Sequence, residues 1–336
     1  MVKTASRAKG RKVPKILGIV FGALLLFAVG PRVEMDTRLL PRGIPDVPPS
    51  PGGDDRTEGA WEGAEILEDY LEAREARFDD IVPGTEWAIV WADAEAPSPT
   101  EYVVVFLHGF SASRQETAPL SELVAEQLGA NLVLTRLTGH GRGGEAMELA
   151  SVNAWVNDGA EAMEVASLLG ERIVLVGNST GGTLAAWLAA QEEWAPSLTP
   201  WKESLEALLL TSPNFGPSDR AASILLWPWG GQIANLVQGP ERGFEPHNEE
   251  QGRFWTTRYP TEALLPMMGL VALAKRNDPT HLDVPTQVFL SPDDEVVNPE
   301  LTRKWFDALG SQIKEVVPVR NPGDPHSHVL AGDILS

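Results

Sequence analysis

The segment Gly177-Asn178-Ser179-Thr180-Gly181 fits the pattern G-x-S-x-G, at a point where an apolar run stops and a small-residue helix begins. The two glycines of the pattern permit a close backbone approach that a Cβ atom would block, so a sharp turn can expose the serine oxygen. The alternative is that Ser179 only caps the following helix. The pattern predicts a serine nucleophile if the rest of the chain supplies a base.

A serine hydroxyl is a weak nucleophile at neutral pH, so it needs a histidine base and an acid that orients the histidine. Of the 6 histidines, we assign the base to His328, in a loop after the last predicted strand, with His326 as the alternative. We assign the acid to Asp294, which follows another predicted strand, with Asp293 as the alternative. These residue types indicate acyl transfer, which requires no metal or organic cofactor.

Acyl transfer also needs hydrogen-bond donors for the oxyanion of the tetrahedral intermediate. The Thr180 N–H is one candidate, because it follows the serine at the start of a helix. The second candidate is the Phe110 N–H in the segment "HGF", where Gly109 permits the chain to bend after a strand. In this interpretation His108 is a structural turn residue and not the base.

Alternating strands and helices are expected to position these residues. Apolar runs that read as strands lie at 87–92, 101–109, 131–137, 172–177, 205–213, 284–292 and 313–319. Helical segments between them include 117–128, 153–169 and 179–190. Continuous apolar strands separated by helices are typical of a mostly parallel sheet buried on both faces, so we predict an α/β fold over residues 61–336.

The alternation lapses at about 214–280, which we interpret as a helical cap inserted into the sheet domain. Its large apolar residues would form a pocket wall for an acyl chain, or they would only attach the cap to the core. The candidates for substrate contact are Phe215, Trp227, Trp229 and Trp255. Within the cap, residues 240–253 read as a mobile charged loop that acts as a lid.

The amino-terminal 30 residues have the pattern of a signal anchor or a signal peptide. Residues 1–15 contain six basic residues and no acidic one, and the apolar run Ile16–Val29 follows them. The positive-inside rule then predicts a membrane-anchored protein whose catalytic domain lies outside the cytoplasm, periplasmic or extracellular, or a secreted protein if the segment is cleaved. Residues 31–60, rich in Pro, Gly and charge, are expected to form a flexible linker.

The composition limits the class of partner. The chain of 336 residues contains 27 Lys and Arg against 47 Asp and Glu, for a formal net charge of −20. This charge argues against nucleic acid as a partner and favours a small, neutral substrate. The chain has no cysteine, which excludes thiol catalysis. The oligomeric state stays unknown at this level.

Four segments together carry a family resemblance: "HGF", "GHGR", "GNSTGG", and "DDEVV" followed by "HSHVLAGD". On these segments, residues 85 to 333 resemble the α/β-hydrolase superfamily and are most similar to cap-bearing carboxylesterases and monoacylglycerol-lipase-like serine hydrolases. The resemblance implies the α/β-hydrolase fold and the catalytic order Ser179, Asp294, His328. Asn178 stands where many lipases carry histidine, which makes "hydrolase" the firmer expectation.

The expected function is therefore hydrolysis of carboxylic esters of small or medium apolar substrates through an acyl-enzyme. The same fold also supports lactonase, thioesterase or acyltransferase activity. A further alternative from a different class is a membrane-tethered binding protein that keeps the hydrolase scaffold without catalysis.

Overall fold

The computed structural model describes residues 26–49, 61–191 and 203–336. Its strands are β1 (Ala88–Val90), β2 (Thr100–Leu107), β3 (Asn131–Leu134), β4 (Gly170–Asn178), β5 (Leu205–Thr211), β6 (Glu241–Gly243), β7 (Arg258–Pro260), β8 (Thr286–Leu290) and β9 (Lys314–Pro318). Its α-helices are α1 (Glu62–Glu75), α2 (Leu120–Leu128), α3 (Val152–Leu169), α4 (Ser179–Ala189), α5 (Gly230–Gln238), α6 (Glu249–Phe254), α7 (Leu264–Ala274) and α8 (Pro299–Asp307). Short 3₁₀ helices lie at Gly144–Leu149, Arg220–Leu226, Thr261–Ala263 and Pro279–His281.

Seven strands form the central sheet in the order β1-β3-β2-β4-β5-β8-β9. The β1 strand is antiparallel to β3, and every other pair in this sheet is parallel. Parallel strands need crossover connections, and helices covering both faces keep such strands apolar. The predicted α/β fold with a mostly parallel sheet is confirmed.

Successive residues of β2 point to opposite faces of the sheet and enter two different cores. Val103 and Val105 belong to the larger core, which includes residues of α1, α3 and α4. Val104 and Phe106 belong to a smaller core against α2. All four side chains are fully buried. The sheet is thus fixed on both faces, which gives the carboxyl ends of its strands a rigid base.

The cap lies between β5 and β8 and contains α5, α6, α7 and the antiparallel pair β6–β7. Residues 240–253, expected as a mobile charged loop, include β6 and α6 instead. β6 and β7 pair with Glu241 opposite Pro260 and Gly243 opposite Arg258. The two strands therefore form an antiparallel ribbon, and α6 lies in the connection between them. The Asn248 side chain accepts a hydrogen bond from the Gln251 N–H, an N-cap that stabilises α6.

Residues 31–49 also differ from the expected flexible linker. They lie along α3, where the Arg38 carbonyl accepts hydrogen bonds of 2.9 and 3.0 Å from the side chains of Asn153 and Asn157. The Leu40 N–H donates to Asn157 Oδ1 at 2.7 Å. Three apolar side chains of the segment pack against the larger core: Leu39, Ile44 and Val47. A segment this polar cannot form its own core, but it needs only a few apolar residues to attach to an existing one.

Most of the predicted signal segment lies outside the described residues, as do residues 50–60 of the predicted linker. The described end of the apolar run, residues 26–28, is helical. Within the ranges given above, no helix is both long and apolar enough to cross a membrane.

Candidate active site

The turn around Ser179 joins β4, which ends at Asn178, to α4, which begins at Ser179. Ser179 has a φ of 50°, in the left-handed region that a residue with a side chain rarely adopts. A Cβ atom on Gly181 would lie 2.0 Å from the Leu107 carbonyl oxygen, and one on Gly177 would lie 2.6 Å from the Gly181 carbonyl oxygen. The glycines are required here because β2, β4 and α4 meet without room for side chains.

Ser179, His328 and Asp294 form one chain of hydrogen bonds. His328 Nε2 lies 2.9 Å from Ser179 Oγ, and His328 Nδ1 lies 2.8 Å from Asp294 Oδ2. With its proton on Nδ1, the imidazole donates to the carboxylate and accepts from the serine hydroxyl. All three residues are buried, with exposed fractions of 6%, 7% and 8% for the serine, the histidine and the aspartate.

The backbone fixes the Asp294 carboxylate from the other side. Its Oδ1 accepts hydrogen bonds from the N–H groups of Val296 and Val297, at 2.8 and 2.9 Å. One carboxylate oxygen is therefore held by the loop, and the other is directed at His328. The residues after the aspartate, written "EVV", supply these donors because the loop folds back on the side chain as an Asx turn.

A second buried aspartate, Asp324, holds the histidine loop. Its Oδ2 accepts from the N–H groups of His328 and Val329, at 2.8 and 2.9 Å. The Ser212 hydroxyl donates to the His328 carbonyl at 2.7 Å, which ties the loop to the end of β5. Sequence reasoning missed Asp324, although "GDPHSH" carried a usable signal, since an aspartate before proline often starts a turn.

The environment of His328 raises its pKa above the ordinary value of 6.5. Burial lowers this pKa, but the hydrogen bond to Asp294 and the charges of Asp294, Glu116 and Asp324 outweigh it. The imidazolium form is therefore stabilised where it would arise during proton transfer from the serine.

The alternatives left open by the sequence have other surroundings. Asp293 is exposed, and its N–H donates to Ser291 Oγ at 3.2 Å. The His326 side chain is 53% exposed and lies 3.0 Å from a Glu295 carboxylate oxygen. The geometry thus brings Asp294 and His328, rather than these neighbours, to Ser179.

Two backbone N–H groups are candidates to bind an oxyanion beside Ser179. The Thr180 N–H is in the first turn of α4, where no intrahelical acceptor is available. Phe110 follows β2 in a loop that is fixed on both sides. The Gly109 N–H donates to Glu116 Oε2 at 2.7 Å, and His108 Nε2 accepts from the Leu137 N–H at 3.0 Å. Burial lowers the pKa of His108 to about 4, so this imidazole stays neutral and structural.

Glu116 is a buried carboxyl group that sequence reasoning missed. It is 3% exposed, and its Oε2 atom accepts a hydrogen bond from the Gly109 N–H of the "HGF" loop. Burial raises its pKa above the usual value, although the hydrogen bond from the Gly109 N–H acts in the opposite direction. No motif in "SASRQET" announced this residue, because its partner is a backbone group seven positions away.

Residues 255–259 of the cap contact the loop that carries Phe110. The Thr256 N–H donates to the Ser111 carbonyl at 2.6 Å. We name residues 108–111 the oxyanion loop, after the candidate donor Phe110. The Tyr259 and Phe110 rings are in an edge-to-face contact with centroids 5.2 Å apart. Trp255, one of the predicted substrate contacts, lies in this part of the cap and is 8% exposed. These contacts hold the cap against the loop that carries Phe110.

The other predicted substrate contacts have different surroundings from those expected. Phe215 is buried and stacks on Trp305 of α8 with ring centroids 4.5 Å apart, so it attaches β5 to a helix. Trp227 and Trp229 are 52% and 39% exposed, on the outer side of the cap. Contact of these three residues with a substrate stays a prediction, and aromatic content alone did not define the face on which each side chain lies.

A family model described as serine aminopeptidase, S33, matches residues 98–320. The thermostable monoacylglycerol lipase of Bacillus sp. (strain H-257) is 26% identical over 218 residues, which is 65% of this chain and 80% of that lipase.

Two solved structures show the same fold. A chain from the metagenome-derived lipolytic enzymes LipS and LipT has a TM-score of 0.57 at 21% identity, over 72% of this chain and 89% of its own. A soluble variant of monoglyceride lipase from Saccharomyces cerevisiae, in complex with a substrate analogue, has a TM-score of 0.51 at 14% identity, over 69% and 80% of the two chains. The predicted α/β-hydrolase fold is confirmed by these similarities together with the family match.

Proposed function

The chain belongs to the serine aminopeptidase S33 family of hydrolases, and from that premise we propose that it is a serine esterase with Ser179, His328 and Asp294 as its catalytic residues. The observation that carries the proposal is the buried hydrogen-bond chain, with 2.9 Å between Ser179 Oγ and His328 Nε2 and 2.8 Å between His328 Nδ1 and Asp294 Oδ2.

The first half of the reaction forms an acyl-enzyme. His328 Nε2 accepts the hydroxyl proton as Ser179 Oγ attacks the ester carbonyl carbon. The N–H groups of Phe110 and Thr180 donate to the resulting oxyanion. The tetrahedral intermediate collapses, the bond to the alcohol oxygen breaks, and the alcohol leaves with the proton from His328. Asp294 stabilises the imidazolium during both proton transfers.

The second half releases the acid. Water gives a proton to His328 Nε2 and attacks the acyl carbon, and the same two N–H groups hold the second oxyanion. Collapse breaks the bond to Ser179 Oγ, which regains its proton from His328. The balance is one ester and one water consumed, and one alcohol and one carboxylic acid formed.

The substrate class that we propose is esters of small or medium apolar acids, with monoacylglycerols as the first to test. The relative from Bacillus is named a monoacylglycerol lipase, and Phe110 beside the site packs against the apolar cap residues Leu225, Leu264 and Met268. A neutral apolar acyl chain fits this environment better than a charged substrate.

A panel of substrates tests the proposal. Monoacylglycerols and 4-nitrophenyl esters of graded chain length should be hydrolysed. An amino-acid 4-nitroanilide is included as the substrate of the alternative activity, because the family is described as serine aminopeptidase. Ser179→Ala should abolish ester turnover, and Ser327→Ala, in the same histidine loop, is the matched control that should retain it. Faster cleavage of the anilide than of every ester would contradict the proposed esterase and indicate an aminopeptidase.

We also propose that the amino-terminal segment anchors the chain in a membrane with the catalytic domain outside the cytoplasm. The support is the basic stretch before Ile16–Val29 in the sequence. Alkaline carbonate extraction of expressing cells tests this, because an anchored chain stays with the membrane pellet. Recovery of the full-length chain in the soluble fraction would contradict the anchor.

A further inference from the structure

The outer face of the cap exposes large apolar side chains. Trp227, Trp229, Leu236 and Val237 are 52%, 39%, 87% and 74% exposed, and we call this set the cap face. Three of its members belong to or adjoin α5, whose sequence "GGQIANLVQ" contains no charged residue. A helix on an aqueous surface normally carries charged residues on its outer side. An exposed, uncharged and apolar helix face indicates an interaction surface.

The end of the amino-terminal apolar run touches this cap face. The Trp229 indole N–H lies 3.3 Å from the Leu26 carbonyl oxygen, and the Trp229 N–H donates to the Pro31 carbonyl at 2.8 Å. Gly30 packs so closely on the indole that a Cβ atom there would lie 2.0 Å from Trp229 Nε1. Leu26 and Val29 are themselves 68% and 76% exposed. The apolar surface therefore continues from α5 into the segment that precedes the catalytic domain.

We propose that the cap face lies in the interfacial layer of a lipid bilayer, the same bilayer that holds the apolar run Ile16–Val29. This inference rests on the membrane anchor proposed above and adds a second point of contact to it. The lipid bilayer is the occupant that matches both the continuity with the apolar run and the tryptophans, which are enriched where protein meets the membrane interface.

The length of the apolar run also favours contact between the cap face and the bilayer. As a helix, its fourteen residues would extend about 21 Å, whereas the hydrocarbon core is about 30 Å thick. A short apolar segment draws its flanking residues towards the bilayer. The residues that follow this segment here, up to Pro31, are the ones attached to Trp229.

The inner side of the same cap leads to the candidate active site. An apolar cluster includes Ala234 of α5, Leu265 and Met267 of α7, and Phe110 of the oxyanion loop. The cluster thus connects α5, the helix that also carries Leu236 and Val237, with the loop beside Ser179. An ester dissolved in the bilayer would meet the protein on the side of the cap rather than on the amino-terminal edge of the sheet.

Site-directed spin labelling tests this inference. Because the chain has no native cysteine, a single introduced cysteine is the only site of labelling. Leu236→Cys reports on the cap face. Ile313→Cys is the matched control. Ile313 is 70% exposed and lies at the amino end of β9, on the edge of the sheet opposite to the carboxyl ends of the strands. Each full-length labelled chain is reconstituted in vesicles of phosphatidylcholine and phosphatidylglycerol, and the accessibility of the nitroxide to oxygen and to a water-soluble nickel chelate is measured.

We expect the label at position 236 to be more accessible to oxygen than to the nickel chelate, and the label at position 313 to show the reverse. Equal accessibility of the two labels to the chelate would overturn the inference. Protection of position 236 from both reagents would also overturn it, because that result indicates a protein partner such as a second copy of the chain. Failure of the chain to enter vesicles would overturn it together with the anchor. None of these outcomes depends on ester hydrolysis, so failure of the proposed chemistry remains a separate result.

Discussion

The candidate active site and the cap face have opposite relations to water. At the site, polar side chains are buried: Ser179, His328 and Asp294 are 6%, 7% and 8% exposed. At the cap face, apolar side chains are exposed, with Leu236 at 87%. Buried polar groups and exposed apolar groups both cost free energy unless a partner compensates.

The partner differs between the two regions, and so does the function that we infer. At the site, the compensation is internal, because each of the three side chains has a hydrogen-bond partner in the chain. At the cap face, it has to come from outside the chain, and we assign it to lipid. Substitutions in the two regions separate these two kinds of compensation, because they affect different steps of binding and catalysis.

Ser179→Ala removes the nucleophile and leaves the surrounding network in place. We expect kcat for a soluble 4-nitrophenyl ester to fall by about 10⁶-fold, as when the serine of a comparable hydrogen-bonded chain is removed. Thermal unfolding should change little, because Ser179 is not part of the apolar core. Steady-state kinetics measures the fall, and a loss below about tenfold would separate Ser179 from the chemistry.

Asp294→Asn preserves the size of the side chain but removes the charge that faces His328. We expect kcat to fall by about 10⁴-fold, because the imidazole loses its preferred tautomer and the stabilisation of its charged form. Asp293→Asn, on the exposed neighbour, is the matched control and should retain nearly full activity. Equal losses of kcat in the two variants would contradict the assignment of Asp294 as the acid that orients His328.

Glu116→Ala removes the acceptor that holds the Gly109 N–H at 2.7 Å. We expect the oxyanion loop to shift and kcat to fall by about 100-fold with little change in KM, the scale associated with misplacement of a catalytic group by about 1 Å. Glu116→Gln keeps an oxygen that can accept the Gly109 N–H and should recover most of the activity. Failure of the glutamine variant to recover would show that the negative charge, not the hydrogen bond, matters.

The pH dependence of kcat/KM reports on the protonation of His328 in the free enzyme. Only the neutral imidazole accepts the serine proton, and Asp294 holds the pKa of His328 above 6.5. Activity should therefore decrease by about tenfold for each pH unit below a midpoint that lies above 6.5. In Asp294→Asn, burial dominates, so the residual activity should have its midpoint at a lower pH. A wild-type midpoint below 6.5 would contradict the described balance of burial and charge.

Leu236→Asp places a charge on the cap face without touching the site. Hydrolysis of a soluble short-chain ester should not change. With monoacylglycerol dispersed in vesicles we expect a loss of about fivefold, which corresponds to about 1 kcal/mol of lost apolar contact with lipid. Ile313→Asp is the control on the far edge of the sheet. Equal effects on soluble and vesicle-bound substrate would connect Leu236 to the site instead of to the bilayer.

The predictable part of the molecule is the part that local sequence governs. The apolar strand from Arg172 to Gly177 and the glycine-flanked turn at Ser179 follow from residue type and order, since only small residues fit where β2, β4 and α4 meet. Asp294 and His328 follow from their place after strands, because the carboxyl ends of parallel strands share one edge of the sheet.

The features that the sequence did not predict depend on contacts distant in the chain. Arg38 is held by Asn153 and Asn157, and nothing near residues 31–49 announces these partners. Glu116 is buried, and it accepts a hydrogen bond from the Gly109 N–H of another turn. The local sequence around Trp229 does not distinguish it from the other aromatic residues of the cap, and its place on the outer face follows from the fold.

Labelling with a fluorophosphonate, followed by mass spectrometry, tests the central claim most directly. The reagent reacts with a serine only when a base activates it. We predict that the full-length wild-type chain is modified at Ser179, that Asp294→Asn reacts far more slowly, and that Ser179→Ala does not react. A folded wild-type chain that stays unmodified at Ser179, or that reacts at the same rate as Asp294→Asn, would contradict the catalytic assignment.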